Sequence, residues 1–216
     1  MRDRSAPLRP DEVAGLAWDK MDGLLPAIVQ SRCSGRVLMV GYMNREALEA
    51  TMSTGLATFF SRSKQRLWQK GETSGNRLHV QSVFADCDDD ALLLLADAKG
   101  PTCHTGTVSC FGHSAVEGPG WLAELSEVVR DRAQSGDEKS YTRQLLADGL
   151  PRIAQKIGEE GVEIALAAVT RDTGGCSEEI ADLLYHITVL MEAKGFEWED
   201  VIRVLRDRHE VSKHPA

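Results

Sequence analysis

Three cysteines and a run of aspartates lie close together in the middle of the chain. Cys87 is part of the run Asp86–Asp90, and Cys103 and Cys110 follow sixteen and twenty-three residues later. Thiolates are soft ligands that suit zinc, whereas carboxylates are hard ligands that suit magnesium or calcium. Three thiolates on zinc would leave a fourth position for water, as in a catalytic site. The spacing therefore predicts two metal sites of different chemistry in one segment.

The same residues also have ordinary explanations. Aspartates favour turns because their side chains bond to nearby backbone groups, and cysteines also pack as small apolar side chains. Zinc-dependent base deaminases carry a His-x-Glu motif and a Pro-Cys-x-x-Cys motif, and this sequence has neither. On residue types alone, an acidic turn with buried cysteines remains an alternative to the metal sites.

A polar loop with two glycines, Trp68–Asn76, precedes the aspartates. It lacks the Gly-x-x-x-x-Gly-Lys-Ser/Thr order of a P-loop, and a solvated turn is the alternative interpretation. Its small residues would let backbone N–H groups approach a phosphate, which nearby cations would neutralise. We predict phosphate or ribose binding by Arg62, Lys64, Trp68, Lys70, Gly71, Glu72, Thr73, Ser74, Gly75 and Asn76.

A second group of acids occurs in segments with helical periodicity. Within Lys156–Glu163 the acids are three and four residues apart, so they can share one helix face. Acids on helices usually face solvent, but the adjoining Gly158 and Gly161 lower helix stability and so indicate close packing or ligand access. Facing helices with five carboxylates would form a magnesium site. The predicted ligands are Glu159, Glu160, Glu163, Glu179 and Asp182.

Hydrophobic periodicity divides the chain in two. Up to about residue 111, runs such as Arg36–Met43 predict strands, and after the glycine-punctuated stretch 112–120 the period becomes 3.6. We therefore expect an α+β, sheet-dominated N-terminal domain and an all-α C-terminal helical bundle. The predicted segments are a flexible arm over residues 1–17, a first domain over 18–111, a linker over 112–120 and a second domain over 121–209.

Several individual elements follow from local signals. Asn44 predicts the N-cap of a helix over Arg45–Ser53. Residues 61–77 are predicted to be a loop, and Thr107–Phe111 a short last strand. One stripe in the C-terminal part predicts a helix face that packs in the core: Ile180, Leu183, Leu184, Ile187, Leu190 and Met191.

Charge and composition exclude some classes of protein. The net charge of −8 arises entirely after residue 111, and a nucleic-acid-binding surface would be basic. No stretch reaches the roughly 18–20 apolar residues of a membrane span, and the N-terminus does not look like a secretory signal. Five cysteines without framework spacing indicate a reducing compartment, so we expect a cytoplasmic protein.

Three motifs in the first half support a family resemblance. Trp68–Asn76, Asp86–Asp90 and Gly100–Gly106 together resemble the phosphoribosyl-AMP cyclohydrolases of histidine biosynthesis, over roughly residues 18–111. The resemblance implies hydrolytic opening of the adenine ring between N1 and C6. It implies a homodimer with catalytic zinc at the interface, Cys87 coming from the neighbouring chain. The implied roles are zinc binding by Cys87, Cys103 and Cys110, magnesium binding by Asp86, Asp88 and Asp90, and proton transfer by His104.

The acids of the second half resemble those of the all-α nucleoside-triphosphate pyrophosphohydrolases, specifically phosphoribosyl-ATP pyrophosphohydrolase, over about residues 121–209. The carboxylate motif is shared across a broader superfamily, so by itself it leaves the substrate open. Its fusion to a cyclohydrolase-like half decides the substrate, because the two reactions are consecutive. Lys156, at the start of the motif, is predicted to bind substrate.

We therefore expect a bifunctional enzyme that uses Zn²⁺ and Mg²⁺ and acts on small nucleotide substrates. Metal-bound water is the expected nucleophile in both reactions. One rival prediction is a housecleaning nucleotide pyrophosphohydrolase with a zinc-bearing accessory domain. The other is a non-catalytic, zinc-stabilised dimerisation module.

Overall fold

The computed structural model describes residues 3, 6–112, 116, 118–137 and 139–213, with side chains up to residue 210 in the last helix. The chain divides into two compact units, Met1–Glu117 and Gly118–Ala216. We call them unit 1 and unit 2. The strands lie in unit 1, and unit 2 is helical. The predicted order of a sheet-containing region followed by a helical region is therefore confirmed.

Unit 1 is built on a four-stranded sheet of order β2-β1-β6-β5. In it β1 pairs antiparallel with β2 and parallel with β6, and β6 pairs antiparallel with β5. A separate hairpin pairs β3 with β4. The strands are β1 Leu25–Ser31, β2 Val37–Met43, β3 Thr58–Ser61, β4 Arg66–Gln69, β5 Leu78–Ala85 and β6 Leu92–Ala98. Because β5 and β6 form a hairpin, the aspartate-rich turn lies at one end of the main sheet.

One helix, α1 (Arg45–Thr54), packs on unit 1, and its sequence signals are confirmed. The Asn44 side chain accepts a hydrogen bond of 2.9 Å from the backbone N–H of Ala47, and Gly55 ends the helix with φ of 69°. The buried hydroxyl of Thr51 then accepts a bond of 2.9 Å from the backbone N–H of Thr58 in β3. These bonds fix the start and end of α1 and join it to the β3–β4 hairpin.

Three predictions for unit 1 are wrong in detail. The predicted loop contains β4, because Arg66–Gln69 pairs with β3. The segment Thr107–Phe111 is not a strand, although the Cys110 N–H donates to the Leu38 carbonyl at 2.8 Å. The predicted flexible arm is packed from residue 8 onward, since three of its apolar side chains are in the core. Burial of apolar surface holds this segment, at Leu8, Val13 and Leu16.

Among its described residues, unit 2 has a short 3-10 helix at Gly118–Gly120 followed by five α-helices: α2 Trp121–Gln134, α3 Tyr141–Asp148, α4 Leu150–Thr170, α5 Thr173–Lys194 and α6 Trp198–Lys213. Side-chain caps begin two of them, with Ser140 accepting from Arg143 and Asp172 accepting from Gly175. No helix in the part of the chain that the structure describes is long and apolar enough to cross a bilayer. The core joins α2 to α5 through Leu125, Val129, Leu145, Ile153 and Val189.

The predicted core face of α5 is only partly correct. Met191 is buried, but Ile180 is 42% exposed. The neighbouring α4 also leaves apolar side chains in solvent, at Val162, Leu166 and Val169, which are 61%, 57% and 79% exposed. These three are four and three residues apart and therefore lie on one side of α4. Helical periodicity identifies an apolar face, but it does not say whether this chain or another covers it.

The packing of β3 against β2 generates a prediction. Gly41 lies under the buried ring of Phe59, and a Cβ added at Gly41 would fall inside van der Waals contact with that ring. Gly41→Ala should lower the free energy of unfolding by about 1–3 kcal/mol, the usual cost of overpacking. Gly15→Ala is the matched control, because a Cβ there meets no atom within 4 Å. Urea unfolding followed by tryptophan fluorescence measures both, and equal midpoints would contradict the packing argument.

Candidate functional sites

A cavity of about 330 Å³ in unit 1 joins two of the predicted motifs. One wall comes from the Trp68–Asn76 loop and the other from residues 101–106. The structure thus brings together residues that are separated by about thirty positions in sequence. The lining residues are Trp68, Lys70, Gly71, Glu72, Thr73, Ser74, Asn76, Pro101, Cys103, His104 and Gly106.

The loop wall is closed by tight backbone packing. Gly71 has φ of 81°, and a side chain there would overlap the backbone of Asn76. Glycine is therefore required at this position. The Gly75 N–H donates to the Gly71 carbonyl at 2.9 Å, which closes the turn. The loop presents backbone and small side chains to the cavity, as the sequence predicted.

Lys70 is the cation of this cavity. The residue is only 9% exposed, and none of the described carboxylates forms an ion pair with it. Two other predicted cations lie elsewhere: Arg62 stacks over the Tyr42 ring at 4.0 Å, and Lys64 is exposed in the β3–β4 turn. Neither lines the cavity. Lys70 is thus placed to meet an anionic ligand, and the structure does not bring Arg62 or Lys64 to the same place.

Glu72 at the cavity wall is already paired. Arg66 Nη2 lies 2.7 Å from its Oε1, and the Arg66 guanidinium lowers the pKa of the Glu72 carboxyl. The side chain is therefore held towards β4. The Ser74 hydroxyl accepts from the Asn76 N–H at 3.3 Å, so it also stabilises the loop itself.

Two of the three predicted zinc ligands are neighbours. The Thr105 hydroxyl donates to Cys103 Sγ at 3.1 Å, and this bond is the main reason that the pKa of the Cys103 thiol falls to about 6. Burial, and then the neighbouring Cys103, raise the pKa of the Cys110 thiol. The Ser109 hydroxyl donates to the Val37 carbonyl at 2.8 Å and so ties this segment to β2.

The aspartate turn is held by its own side chains. Asp86 Oδ1 accepts from the N–H groups of Asp90 and Ala91, at 3.0 and 3.1 Å. Lys20 forms ion pairs with Asp88 and, at 2.7 Å, with Asp90. The bond from Lys20 lowers the pKa of the Asp88 carboxyl, and the pKa of Lys20 is raised in turn. In this structure the Lys20 ammonium partly neutralises the predicted magnesium ligands.

Cys87 belongs with the aspartates. Ligand atoms of Asp86, Cys87 and Asp88 lie within 4.8 Å of one another. Among the described residues, Cys87, Cys103 and Cys110 do not form a group whose ligand atoms all lie within 4.8 Å of one another. One chain therefore does not assemble the predicted three-thiol site.

In unit 2, the facing surfaces of α4 and α5 bring three predicted carboxylates together. Ligand atoms of Glu160, Glu179 and Asp182 lie within 4.8 Å of one another, and Glu160 and Glu179 are 4% and 9% exposed. Glu163 lies close enough to this group to feel its charge. Desolvation, and then the charges of Glu160 and Glu179, raise the pKa of its carboxyl. Of the five predicted acids, three thus form one close cluster, and Glu163 is near enough for the charges of two of them to act on it.

A cation on α4 and another just after its end lie beside the cluster. Lys156 Nζ lies 2.9 Å from Glu159 Oε2 and 3.2 Å from Glu160 Oε1, and Arg171 pairs with Glu179. Glu159 is not among the three acids whose ligand atoms lie within 4.8 Å of one another. Its carboxylate also accepts from Gln155 Nε2 at 2.8 Å, and the bond from Lys156 lowers the pKa of the Glu159 carboxyl.

A cavity of about 830 Å³ opens beside these carboxylates. Several of its lining residues have no assigned role in the sequence analysis. His186 is buried, and its Nδ1 donates to the Asp182 carbonyl at 2.8 Å. Its position four residues after Asp182, on the same helix face, was the signal that could have found it. The other unassigned residues are Arg132, Ser135, Asp137, Ser140, Tyr141, Thr142 and Tyr185.

The chain thus combines a sheet-containing unit with thiols and aspartates and a helical unit with clustered carboxylates, each with its own cavity. Sequence models of two families match it. The phosphoribosyl-AMP cyclohydrolase family matches residues 39–112, and the phosphoribosyl-ATP pyrophosphohydrolase family matches residues 122–209.

Whole-chain relatives carry both regions together. The histidine biosynthesis bifunctional protein HisIE of Escherichia coli (strain K12) is 53% identical over 197 residues, which cover 90% of this chain and 96% of that protein. The protein of that name from Vibrio cholerae is 52% identical over 194 residues, covering 89% and 92%. That from Yersinia pestis is 49% identical over 203 residues, covering 94% and 99%.

The chain belongs to the family of bifunctional histidine-biosynthesis proteins. It is a hydrolase with two consecutive activities, which release pyrophosphate from phosphoribosyl-ATP and then open the adenine ring of phosphoribosyl-AMP. The family resemblance and the function inferred from it are confirmed. The two rival predictions are not favoured, because residues 39–112 match an enzyme family of their own.

The difference between the two neighbouring thiols can be measured in metal-free protein. A thiol with a pKa of about 6 is about 90% ionised at pH 7, against about 1% for the ordinary 9.0. A thiolate of lower pKa is also a weaker nucleophile, so the net advantage of Cys103 in reaction rate is only roughly three- to sixfold. Iodoacetamide should therefore modify Cys103 several-fold faster than Cys110, and Thr105→Val should reduce the difference. Peptide mass spectrometry follows both, with Cys176 in unit 2 as the internal control. Equal rates in the unaltered chain would contradict the Thr105 contact.

Proposed function

We propose that each unit performs its reaction at its own metal centre. Unit 2 would release pyrophosphate beside the carboxylate cluster, and unit 1 would open the adenine ring in the cavity that Cys103 and His104 line. The observation that carries this proposal is that each unit has its own cavity lined by proposed ligands, Glu160 and Asp182 in unit 2 and Cys103 in unit 1. An all-α pyrophosphohydrolase bundle is the fold type that we propose for unit 2.

Magnesium fits the carboxylates of unit 2. Desolvated like charges repel one another and are costly unless a cation compensates them. Desolvation, and then the charges of Glu160 and Glu179, raise the pKa of the Glu163 carboxyl. Carboxylate oxygens from facing helices are suitable ligands for Mg²⁺. The proposed ligands are Glu160, Glu163, Glu179 and Asp182. Glu159, predicted as a fifth, is better placed to orient Lys156.

Zinc fits the thiols of unit 1 only if a second chain contributes. Cys103 is largely ionised near neutral pH, as a zinc ligand must be. Cys87 lies with the aspartates and apart from Cys103 and Cys110. We therefore propose that Cys87 of the partner subunit completes the site in a homodimer. Reduced thiolates require a reducing compartment, so the cytoplasm is the proposed location.

The exposed apolar side chains of unit 2 support the homodimer. Val162, Leu166 and Val169 on α4 and Ile202 and Leu205 on α6 are each about half exposed or more. Exposed apolar side chains grouped on one side of a helix, as on α4, are typical of a protein interface. The shared zinc site requires a second copy of this chain, and the second copy is therefore the occupant that we propose.

A second magnesium site is proposed at the aspartate turn. Asp86, Asp88 and Asp90 supply oxygen ligands on a rigid turn. Lys20 already satisfies part of their charge. A divalent cation here would compete with the Lys20 ammonium, which would have to move away from Asp88 and Asp90.

The proposed metals and the side chains of this protein would have different roles in the two reactions. When bound, zinc lowers the pKa of water at its open position, and magnesium offsets negative charge on the leaving pyrophosphate. In unit 1, His104 lies in the cavity beside Cys103 and would transfer protons at the ring, while Lys70 and the small-residue loop would hold the phosphate. In unit 2, Lys156 lines the cavity and would contact phosphate oxygens.

Neutral replacements in unit 2 test the carboxylate centre. Glu163→Gln and Asp182→Asn should each remove pyrophosphate release and leave ring opening intact. Each removes one of the repelling charges, so the metal-free unit should keep or raise its melting temperature. Glu178→Gln is the matched control on α5 and should retain activity, because Glu178 is exposed and does not line the cavity. If the Asp182→Asn variant keeps near-normal pyrophosphate release, Asp182 is an ordinary surface acid and not a metal ligand.

Complementation tests the shared zinc site. Cys87→Ser and Cys103→Ser should each abolish ring opening while pyrophosphate release continues. If the site is shared, a mixed dimer of the two variants has one intact site. Random reassociation of equal amounts should then restore about a quarter of the original ring-opening activity. Bound zinc per chain, measured by atomic absorption, should rise in parallel. A mixture that stays inactive and zinc-poor after subunit exchange would place all three ligands in one chain.

A further inference from the structure

The larger cavity has an aromatic wall that the metal chemistry does not use. Tyr141 begins α3 and is 49% exposed. Its ring stacks on Tyr185, with centroids 6.2 Å apart and planes 24° apart, and stands edge-on to His186, at 6.1 Å and 85°. Both neighbours also line the cavity. A large flat side chain thus stands half in solvent at the wall of a mainly polar pocket.

Hydrogen bonds fix this ring in place. The Tyr141 hydroxyl lies 3.1 Å from His186 Nε2, and His186 Nδ1 donates to the Asp182 carbonyl. A carbonyl oxygen can only accept, so Nδ1 carries a proton and Nε2 is left to accept from the tyrosine in the neutral ring. Tyr185 is fixed in turn by a bond of 2.8 Å between its hydroxyl and that of Thr142. The exposed ring is therefore preorganised, and ordering it on binding costs little.

The ring is close to the carboxylate cluster but separate from it. His186 Nδ1 lies 3.6 Å from Glu160 Oε1, so one imidazole ring separates the Tyr141 hydroxyl from the nearest carboxylate. Lys156 stands beside the same carboxylate, and Arg132 lines the cavity as well. Charged groups are suited to phosphates. A rigid, exposed aromatic face is not suited to binding phosphate, but it is suited to stacking on a planar base.

We propose that Tyr141 is the platform on which the adenine of phosphoribosyl-ATP stacks, and that it determines the preference of unit 2 for triphosphates that carry a base. The proposal rests on the carboxylate centre proposed above, which holds the phosphate end of the same substrate. His186 and Tyr185 are positioning residues for the platform. Because stacking is made with the bound base in the ground state and in the transition state, its loss raises KM and leaves kcat nearly unchanged.

The test compares two inhibitors that share three phosphates and differ in the base. ATP and inorganic tripolyphosphate are each titrated, with Mg²⁺, against pyrophosphate release from phosphoribosyl-ATP by the full chain. Tyr141→Leu removes the ring and should raise the inhibition constant of ATP roughly five- to hundredfold. The constant of tripolyphosphate should stay unchanged. Tyr141→Phe keeps the ring and should keep most of the preference for ATP.

The outcomes separate the two proposals. Stacking is overturned if Tyr141→Leu leaves the ATP constant unchanged, or if it weakens ATP and tripolyphosphate by the same factor, as damage to the fold would. Trp121→Leu is the matched control, because Trp121 is equally exposed in unit 2 and does not line the cavity. Asp182→Asn should weaken both inhibitors alike. If it leaves tripolyphosphate binding intact, the carboxylate centre fails, and the ratio of the two constants still decides the role of Tyr141.

Discussion

The compensation of clustered negative charge is the constraint on which both sites depend. Glu160 and Glu179 are nearly buried, and each has a cation of its own chain beside it, Lys156 and Arg171 respectively. In unit 1, Lys20 does the same for Asp88 and Asp90. Removing carboxylates from water without such partners would cost more than a marginally stable fold tolerates. The acidic clusters therefore exist in the folded chain with cations already beside them.

Hydrogen bonds to the backbone hold the proposed metal-binding side chains at positions that a metal ion can reach. Asp86 stabilises the β5–β6 turn with the same carboxylate that would bind metal, because one oxygen accepts two backbone N–H groups. The cysteine segment is tied to β2 through Ser109 and Cys110. In unit 2 the ligands lie on two long packed helices. Sites on such rigid supports keep their geometry without help from a ligand.

The single chain contains one site whose parts lie together and one whose parts do not. Glu160, Glu179 and Asp182 meet within unit 2, whereas Cys87 lies apart from Cys103 and Cys110. Apolar side chains such as Val169 and Leu166 remain in solvent. Both features would be explained by the homodimer proposed above, in which the partner covers apolar surface and supplies a thiol.

Sequence determined the features that depend on near neighbours. The cap at Asn44, the period of the α4 and α5 acids and the Asp86–Asp90 turn follow from contacts within a few residues, so they could be predicted. Tertiary structure decided what depends on packing: that side chains from residue 8 onward in the predicted arm are in the core, that Ile180 is exposed and that Tyr141 is fixed at the cavity wall. The local sequence pattern specifies which residues share a face of a helix or strand, but only the folded chain specifies what that face contacts.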